Sequence, residues 1–326
     1  MSAVAEGDLG ALWTRRGLIR TAPDASVPGW ASHAQCPTPL ILGERLWRVY
    51  FSVRDPENRS RILFVDLDPL DDMRVLYQST APLLELGAPG LFDSAGQGAS
   101  LAVRRDGAVW LYYLGMHLRR DVPYGLAIGL ARSTDGAAFE RVADGPILSV
   151  GPRDPYFVSL LHARPAGAGW EGWYMSATGW QARSDGPWDA EYGLRRAVSE
   201  DGVAWRGTDV TLALGEGLLP RGGGIARPWV ARVNGRDWLF FSRRQSAGFR
   251  TQRDAAYRIM AGPLDPAGTP AGVPRPVRFA NPPEPEDWDG FMQAYPAVLP
   301  LGEGHVMFYN GDGFGQGGFG WATCGL

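Results

Sequence analysis

The sequence predicts an all-β chain folded as a single five-bladed β-propeller closed by an N-terminal strand. Three observations carry that prediction: helical periodicity is nearly absent, a hairpin pattern returns five times at near-constant spacing, and the last repeat runs out of chain while an unpaired strand stands at the N-terminus.

The first observation rests on composition and pattern. Among 326 residues there are 44 Gly and 26 Pro, spread along the whole chain, and the apolar segments between them are short, aromatic and β-branched. Such segments suit strands bounded by turns.

The second is the repeat. Five segments share one order: a small residue or Pro, an alternating apolar strand, a polar turn that usually holds Gly, and a second strand ending in aromatics. They begin near Pro39, Ser100, Leu161, Pro228 and Pro296, so successive starts lie 61, 61, 67 and 68 residues apart. The second strands reach their aromatics at Tyr50, Tyr112, Trp173, Phe240 and Phe308, which makes the hairpins similar in size. A third strand follows in each, over 61–66, 124–133, 192–199, 256–261 and 318–324. A unit of roughly 65 residues with three or four short strands reads as a propeller blade, and the repeat overrides the two domains that length alone would suggest. Residues 1–326 are therefore expected to form one domain. The segment 12–21 completes the fifth blade and covers its bare edge.

Composition excludes several classes of function. All 32 basic residues are Arg, which removes Schiff-base chemistry and the phosphate-binding lysine of a P-loop. With 35 acidic residues interspersed, the net charge of -3 offers no footprint for nucleic acid or an anionic membrane. No apolar run suits a signal peptide or a bilayer span, so the expected location is cytoplasmic. Cys36 and Cys324 are read as buried free thiols, although a circular fold could bring them together.

Two turns repeat a further pattern, Ser133 to Phe139 and Ser199 to Trp205, each with an Asp that bonds its own turn and a Gly free to take positive φ. Neither turn, nor the acidic stretch at Asp66, Asp68, Asp71 and Asp72, has the oxygen spacing of a calcium loop. The glycines between Gly311 and Gly320 follow a strand but precede no helix, so they read as a tight turn rather than a phosphate cradle. No cofactor motif is found and no metal set is expected. Most of the 13 Trp residues follow the repeat as packing groups, with Trp30 and Trp180 the candidates to stack on a sugar.

In a propeller the innermost strands deliver polar residues to one mouth of the central channel. The positions just before each repeat start are His33 and Gln35, Asp93 and Ser94, Asp154 and Tyr156, Arg227, and Gln293 and Tyr295. Arg54 with Asp55, Tyr257, and Asn310 with Asp312 add to the candidate rim.

At these residues the chain resembles the five-bladed propeller glycosidases, of glycoside hydrolase families 43, 32 and 68, and related bacterial proteins of glycan pathways. The resemblance covers essentially the whole chain. It is carried by Ser32 to Gln35 with Pro37 to Pro39, Arg48 to Ser52 with Arg54 and Asp55, Phe92 to Ser94, Asp154 to Phe157, Ala226 to Pro228, Tyr257 to Ile259, Tyr295 with Pro296, and Asn310 to Gly315. It implies a carbohydrate substrate. In the glycosidases three acidic residues on different blades do the work, and one group places an Arg-Asp-Pro triplet on a middle blade, as Arg153, Asp154 and Pro155 stand here. By that resemblance Asp154 and Asp93 are the two candidate carboxylates.

Glycoside hydrolysis needs a carboxylic acid and a second carboxylate about 5 to 9.5 Å apart. Against the resemblance, blade one offers His33 and Gln35 where an acid is expected, blade four offers the glycines at 222–224, and blade five offers Phe291. His33 could serve instead as general base near neutral pH. The expected function is thus a carbohydrate-active enzyme acting on a glycoside or other polyhydroxylated substrate, with Asp93, Asp154 and His33 in catalysis. Gln35, Arg54, Asp55, Tyr156, Arg227, Tyr257, Gln293, Tyr295, Asn310 and Asp312 are expected to bind substrate. Two alternatives stay open: a repurposed lyase, cyclase or transferase, and a non-catalytic glycan-binding propeller. The partner is a small molecule or glycan; no nucleic acid and no membrane are expected.

Overall fold

The computed structural model describes residues 12–20, 23, 27–183, 186, 188–212 and 223–325. Within them the chain is almost wholly β. The N-terminal strand β1 spans Thr14–Arg20. Four strands follow, β2 (Ser32–Gly43), β3 (Leu46–Arg54), β4 (Ser60–Asp68) and β5 (Arg74–Gln78), then β6 (Gly96–Arg105), β7 (Ala108–Leu118), β8 (Tyr124–Ser133) and β9 (Glu140–Arg141). Next come β10 (Val158–Ala166), β11 (Gly169–Gln181), β12 (Asp189–Ser199) and β13 (Trp205–Thr211). The series ends with β14 (Gly224–Val233), β15 (Arg236–Arg244), β16 (Arg258–Pro263), β17 (Arg275–Pro276), β18 (Ala294–Leu301), β19 (Gly304–Asn310) and β20 (Phe319–Cys324).

Each third strand in the sequence reading has its counterpart in β4, β8, β12, β16 and β20. The pairing forms two eight-stranded sheets and one four-stranded sheet. Within the large sheets, antiparallel groups of four are joined by single parallel bridges, Ser60 to Gly96 and Tyr192 to Gly224. The four-stranded sheet runs β18, β19, β20 and then β1, so the N-terminal strand does lie antiparallel to the last strand. Thr21, the end of the expected segment, lies outside the described residues. The first strands of the groups pack in series, β2 on β6, β6 on β10, β10 on β14, β14 on β18, and β18 on β2.

The first strands begin earlier than the sequence reading placed them. They start at 32, 96, 158, 224 and 294, because each continues through a break in register that a simple alternation rule treats as the strand's end. His33, Gln35, Arg227 and Tyr295 thus lie within first strands rather than before them.

What locks one group to the next is written in the repeat itself. The second-strand aromatic Tyr50 donates its hydroxyl to the Gly136 carbonyl at 2.8 Å, and Tyr112 donates to the Gly202 carbonyl at 2.8 Å. Trp173 Nε1 donates to the Gly268 carbonyl at 3.0 Å. Each acceptor is a glycine at φ 72° in an outer turn of the following group. A Cβ there would stand 2.9 Å from the Tyr50 hydroxyl or 3.0 Å from that of Tyr112, so glycine is needed both for the turn and for the approach. Buried aromatics of this size contribute about 2 to 3 kcal/mol each by leaving water, and the hydrogen bond adds roughly 1 kcal/mol. Phe240 and Phe308 lack the donor; they pack edge-on or tilted against Trp13 and Trp47, with ring centroids at 6.1 and 6.4 Å.

A second device also repeats. Asp93, Asp154 and Asp289 each accept a bond from the tyrosine 20 residues on, Tyr113, Tyr174 and Tyr309. An arginine closes each clasp: Arg141 at 2.7 Å from Asp93, Arg195 at 3.8 Å from Asp154 and Arg15 at 2.5 Å from Asp289. Arg15 belongs to β1, so the third clasp ties the N-terminal strand to the last group. The cysteines are free thiols, Cys36 buried and Cys324 partly so. Among the described residues no helix is long and apolar enough to cross a membrane.

Candidate functional site

The expected catalytic carboxylates are enclosed and hydrogen-bonded within the fold. Asp93 is fully enclosed and accepts bonds from Arg141 Nε at 3.0 Å, Gln97 Nε2 at 2.9 Å and the Tyr113 hydroxyl at 3.2 Å. Asp154 is 5% exposed and takes the hydroxyls of Tyr174 and Ser176 at 3.0 and 2.6 Å. Because Asp289 repeats the arrangement where the sequence reading placed no site residue, a structural cause accounts for all three. Asp55 accepts from the backbone of Glu57 and Arg59 and from Arg59 Nε at 2.8 Å, which is a turn-closing arrangement. Asp312 likewise accepts from the backbone of Phe291 and Met292, and burial pushes its carboxyl above the usual range. Gln293 donates to the Asp289 carbonyl, and Tyr156 stands 40% exposed in a loop. The Gln293 backbone N–H also donates to the Tyr257 carbonyl at 3.2 Å, close to Asp312, but the carboxylates of Asp55, Asp93, Asp154 and Asp312 do not join one another through a hydrogen bond among the described residues.

A different set does. Cys36, Leu160, Arg227 and Tyr295 all have left-handed φ, at 56°, 49°, 54° and 57°, and each sits at the register break of a first strand. His33, at φ 62°, sits at an earlier break in β2. A non-glycine residue held in this region costs roughly 1 to 3 kcal/mol, and such residues concentrate where a side chain must be aimed.

Arg227 shows what is aimed where. From β14 its guanidinium reaches the Ala99 carbonyl of β6 at 3.2 Å, and the Pro37 carbonyl and Thr38 hydroxyl of β2 at 2.8 and 2.9 Å. It therefore spans the space between first strands that are not neighbours in the packing series. It is 1% exposed, its Nε has no partner among the described residues, and burial lowers its affinity for the proton.

Arg227 and Arg54 both stand close enough to the Cys36 thiol and the Tyr295 phenol to interact electrostatically. Burial pushes the Cys36 thiol up against the pull of the two cations, so it is a neutral thiol. Tyr295 is raised by burial and by the Tyr192 and Cys36 groups beside it, and Tyr257 by burial and then by Tyr192. Tyr192 and Tyr257 share a hydroxyl contact, and Arg244 Nε donates to the Tyr192 hydroxyl at 3.1 Å. Burial raises Tyr124, which packs edge-on against Trp180 with centroids 5.2 Å apart. The second candidate for stacking, Trp30, is buried and donates to the His33 carbonyl at 2.6 Å.

His33 Nδ1 lies 2.8 Å from the Ser32 hydroxyl. Burial, with the Arg54 charge second, holds its imidazole down at about 4, so it is neutral and able to accept a proton at physiological pH. Asn310 is buried and accepts the Cys36 N–H at 2.8 Å, joining β19 to β2 at the cluster, while Gln35 lies against Gly315.

The cluster opens on a groove of about 1070 Å3 lined by Arg54, Asn58, Ser94, Met116, His117 and Tyr124, among others. His117 Nδ1 is buried without a partner among the described residues, and Gly125 opposite it leaves room for the ring, since a Cβ there would lie 2.4 Å from Nε2. Among the described residues no three His, Cys, Asp or Glu side chains converge as metal ligands would. Of the expected site, then, His33, Arg54, Arg227, Tyr257, Tyr295 and Asn310 gather in one region. Cys36, Tyr124, Tyr192, Arg244 and His117 join them without having been singled out. A signal existed for two of these: Tyr124 and Tyr192 open the third strands of their repeats, as Tyr257 immediately precedes a third. Gly222, one of the blade-four glycines, lies outside the described residues.

No family model matches the chain. It is 32% identical over 313 residues to the uncharacterised protein Rv1502 of Mycobacterium tuberculosis H37Rv, covering 95% of this chain and 98% of the relative. The corresponding protein MT1551 of strain CDC 1551 matches equally. Among solved structures, a glycosyl hydrolase from Bacteroides ovatus superposes with a TM-score of 0.67 at 12% identity, over 99% of this chain and 95% of that one. A Bombyx mori β-fructofuranosidase in complex with sucrose gives 0.62 at 15% identity, over 98% of this chain and 63% of that one. By fold it is like these glycosidase structures, and by sequence the chain belongs to the family of the mycobacterial protein Rv1502.

Proposed function

We propose that the protein is a single-domain, carbohydrate-active propeller that takes a glycoside or another polyhydroxylated ligand at one mouth of its central channel. The five groups of strands would be its blades, with β1 completing the fifth. The cyclic packing of β2, β6, β10, β14 and β18 supports the ring, and free thiols suit the cytoplasmic setting proposed for it. The observation that carries the reading is the convergence of the left-handed residues Cys36, Arg227 and Tyr295 with Arg54 and the phenols of Tyr192 and Tyr257. Strained backbone on three separate first strands, ending on polar side chains beside a groove, is the arrangement of a site rather than of a core. Hydroxyl and guanidinium donors match sugar oxygens, and the aromatic rings supply faces for sugar C–H groups.

A second reading concerns the chemistry. The groups gathered in the cluster are phenols, guanidinium ions, a thiol and an imidazole, whereas hydrolysis by two carboxylates needs a matched acid pair. This favours a non-hydrolytic reaction in which the neutral His33 takes a proton from the substrate and the Arg54 charge stabilises the anion that forms. Mass spectrometry of reactions with a panel of oligosaccharides separates the possibilities. Hydrolysis raises the summed product mass by one water, elimination leaves it unchanged and creates an ultraviolet-absorbing alkene, and saturable binding without turnover marks a glycan-binding propeller. Absence of binding to every saccharide class would overturn the proposal.

A further inference from the structure

We infer that the channel-mouth cluster is a seat for the anionic group of an acidic sugar, a carboxylate or phosphate, held by Arg54 with Arg227 behind it. The inference rests on the carbohydrate reading above and specifies the ligand.

Arg15, Arg48, Arg59, Arg141 and Arg164 each meet a carboxylate at 3.0 Å or less. Arg54, Arg227 and Arg244 have no carboxylate in salt-bridge contact among the described residues. Arg54 donates to the Asn58 carbonyl at 3.2 Å, Arg227 to two carbonyls and a threonine hydroxyl, and Arg244 to a phenol and two carbonyls. Asp55, next to Arg54, is already engaged with Arg59 and its own turn.

A guanidinium does not escape this cost by losing its proton. A buried cation with neutral partners alone is therefore expensive, and the fold retains two of them, Arg227 and Arg244, around one space, with Arg54 half-buried beside them and touched by the Asp55 charge only through space. The Nε atoms of Arg54 and of Arg227 are buried and have no hydrogen-bond partner among the described residues. Guanidinium forks with free N–H positions match the paired oxygens of a carboxylate or phosphate. Neither the Cys36 thiol nor the phenols supply the missing negative charge, because burial keeps them protonated. What remains for those hydroxyls is to bond the sugar ring that carries the anion. Access is from the groove, which Arg54 lines.

The test is isothermal titration of the full-length protein with matched pairs: glucuronate against glucose, galacturonate against galactose, and glucose 6-phosphate and mannose 6-phosphate against their parent hexoses. Inorganic phosphate is run beside them. The acidic member of at least one pair is expected to bind at least about tenfold more tightly, with the advantage shrinking as salt rises. Arg227→Gln removes a guanidinium that ties β14 to β2 and β6, so misfolding would make that variant uninformative. Arg54→Gln carries the test instead, and should bring the acidic ligand down to its neutral counterpart while leaving the urea unfolding midpoint in place. Equal affinity within every pair that binds would overturn the anion seat and leave the carbohydrate reading standing. Inorganic phosphate binding as tightly as the sugar phosphates would keep an anion site and overturn its assignment to sugars. Binding of none of these ligands would overturn both.

Discussion

Replacing Asp93 by Asn tests whether the enclosed carboxylates serve the fold or the chemistry. Asp93 is 0% exposed and accepts two bonds from Arg141, at 3.0 and 2.7 Å, besides those of Gln97 and Tyr113. Asparagine keeps the shape but removes the charge and places an amide N–H where a donor already points. The Arg141 side chain, 17% exposed, is left without its counter-ion. Breaking a buried pair in this way costs about 3 to 5 kcal/mol, and the partial access of Arg141 to water puts the expectation near the lower end, at about 3 kcal/mol. Asp289→Asn should cost somewhat less, about 2 kcal/mol, because Arg15 and Tyr309 clasp an equally enclosed carboxylate but Asp287 stays 3.0 Å from Arg15 as a second counter-ion. Asp154→Asn should cost less, about 1 to 2 kcal/mol, since its close partners are hydroxyls and Arg195 stands back at 3.8 Å. Urea unfolding followed by tryptophan fluorescence reads all three. The order expected is Asp93, then Asp289, then Asp154. An Asp93→Asn protein with an unchanged midpoint and lost saccharide turnover would refute the structural reading and return Asp93 to catalysis.

The inter-group clamps give a second expectation: Tyr112→Phe should lower stability by about 1 kcal/mol in the same urea assay, and Gly202→Ala by more, because φ 72° disfavours a side chain and the new Cβ meets the Tyr112 hydroxyl. Acid sensitivity follows from His162, whose ring lies 4.8 Å from that of Trp229 and whose imidazole burial, helped by Arg227, holds at about 3. Its folded-state value lies below the unfolded one, so its neutral form supports the fold above about pH 6.5 and that support drains away as pH falls toward 3, by about 5 kcal/mol in all. His162→Phe should flatten this limb in a pH series of urea midpoints; an unchanged limb would rule the residue out as its source. If His33 takes the proton in turnover, the acid limb of kcat/KM should lie near pH 4 rather than 6.5, and Arg54→Gln should move it upward by removing the neighbouring charge. A limb that stays put in Arg54→Gln would separate the two residues.

How much could be read in advance depends on which features repeat. The strand groups were legible because Tyr50, Tyr112 and Trp173 return at one spacing, and the structure gives that spacing a cause: each donates to a turn glycine of the next group. The N-terminal segment was legible from an unfilled place at the other end, and it pairs there. The acids misled for the same reason the fold was readable. Asp93 and Asp154 stand at repeat-equivalent positions before their first strands, where a mouth residue is also expected, and sequence alone does not show that a tyrosine 20 residues on and a distant arginine consume them. Cys36 was passed over because a buried thiol is usually inert, and nothing in its neighbours in sequence discloses left-handed backbone.

The two kinds of position separate by a simple physical rule. Clamps draw on aromatics throughout, tyrosine twice and tryptophan once where a donor reaches a turn glycine, and the three clasps each use an aspartate with a tyrosine, because each such boundary poses a like packing problem. The register breaks of the first strands repeat in the backbone but not in the side chain: the left-handed residue is Cys36 in β2, Leu160 in β10, Arg227 in β14 and Tyr295 in β18. In β6 the break falls at Ser100, whose hydroxyl donates to the Leu161 carbonyl at 2.8 Å. Were those breaks only a way to bend the strands, glycine would serve at every one at less strain. Bearing that strain with a thiol, an alkyl chain, a guanidinium and a phenol makes sense when the side chains themselves are what the bend presents. The repeated backbone thus supplies a set of aimed positions held by unlike residues, above all Arg227 with no acid in salt-bridge contact among the described residues, and under the proposed function these are the positions at which a ligand would be chosen.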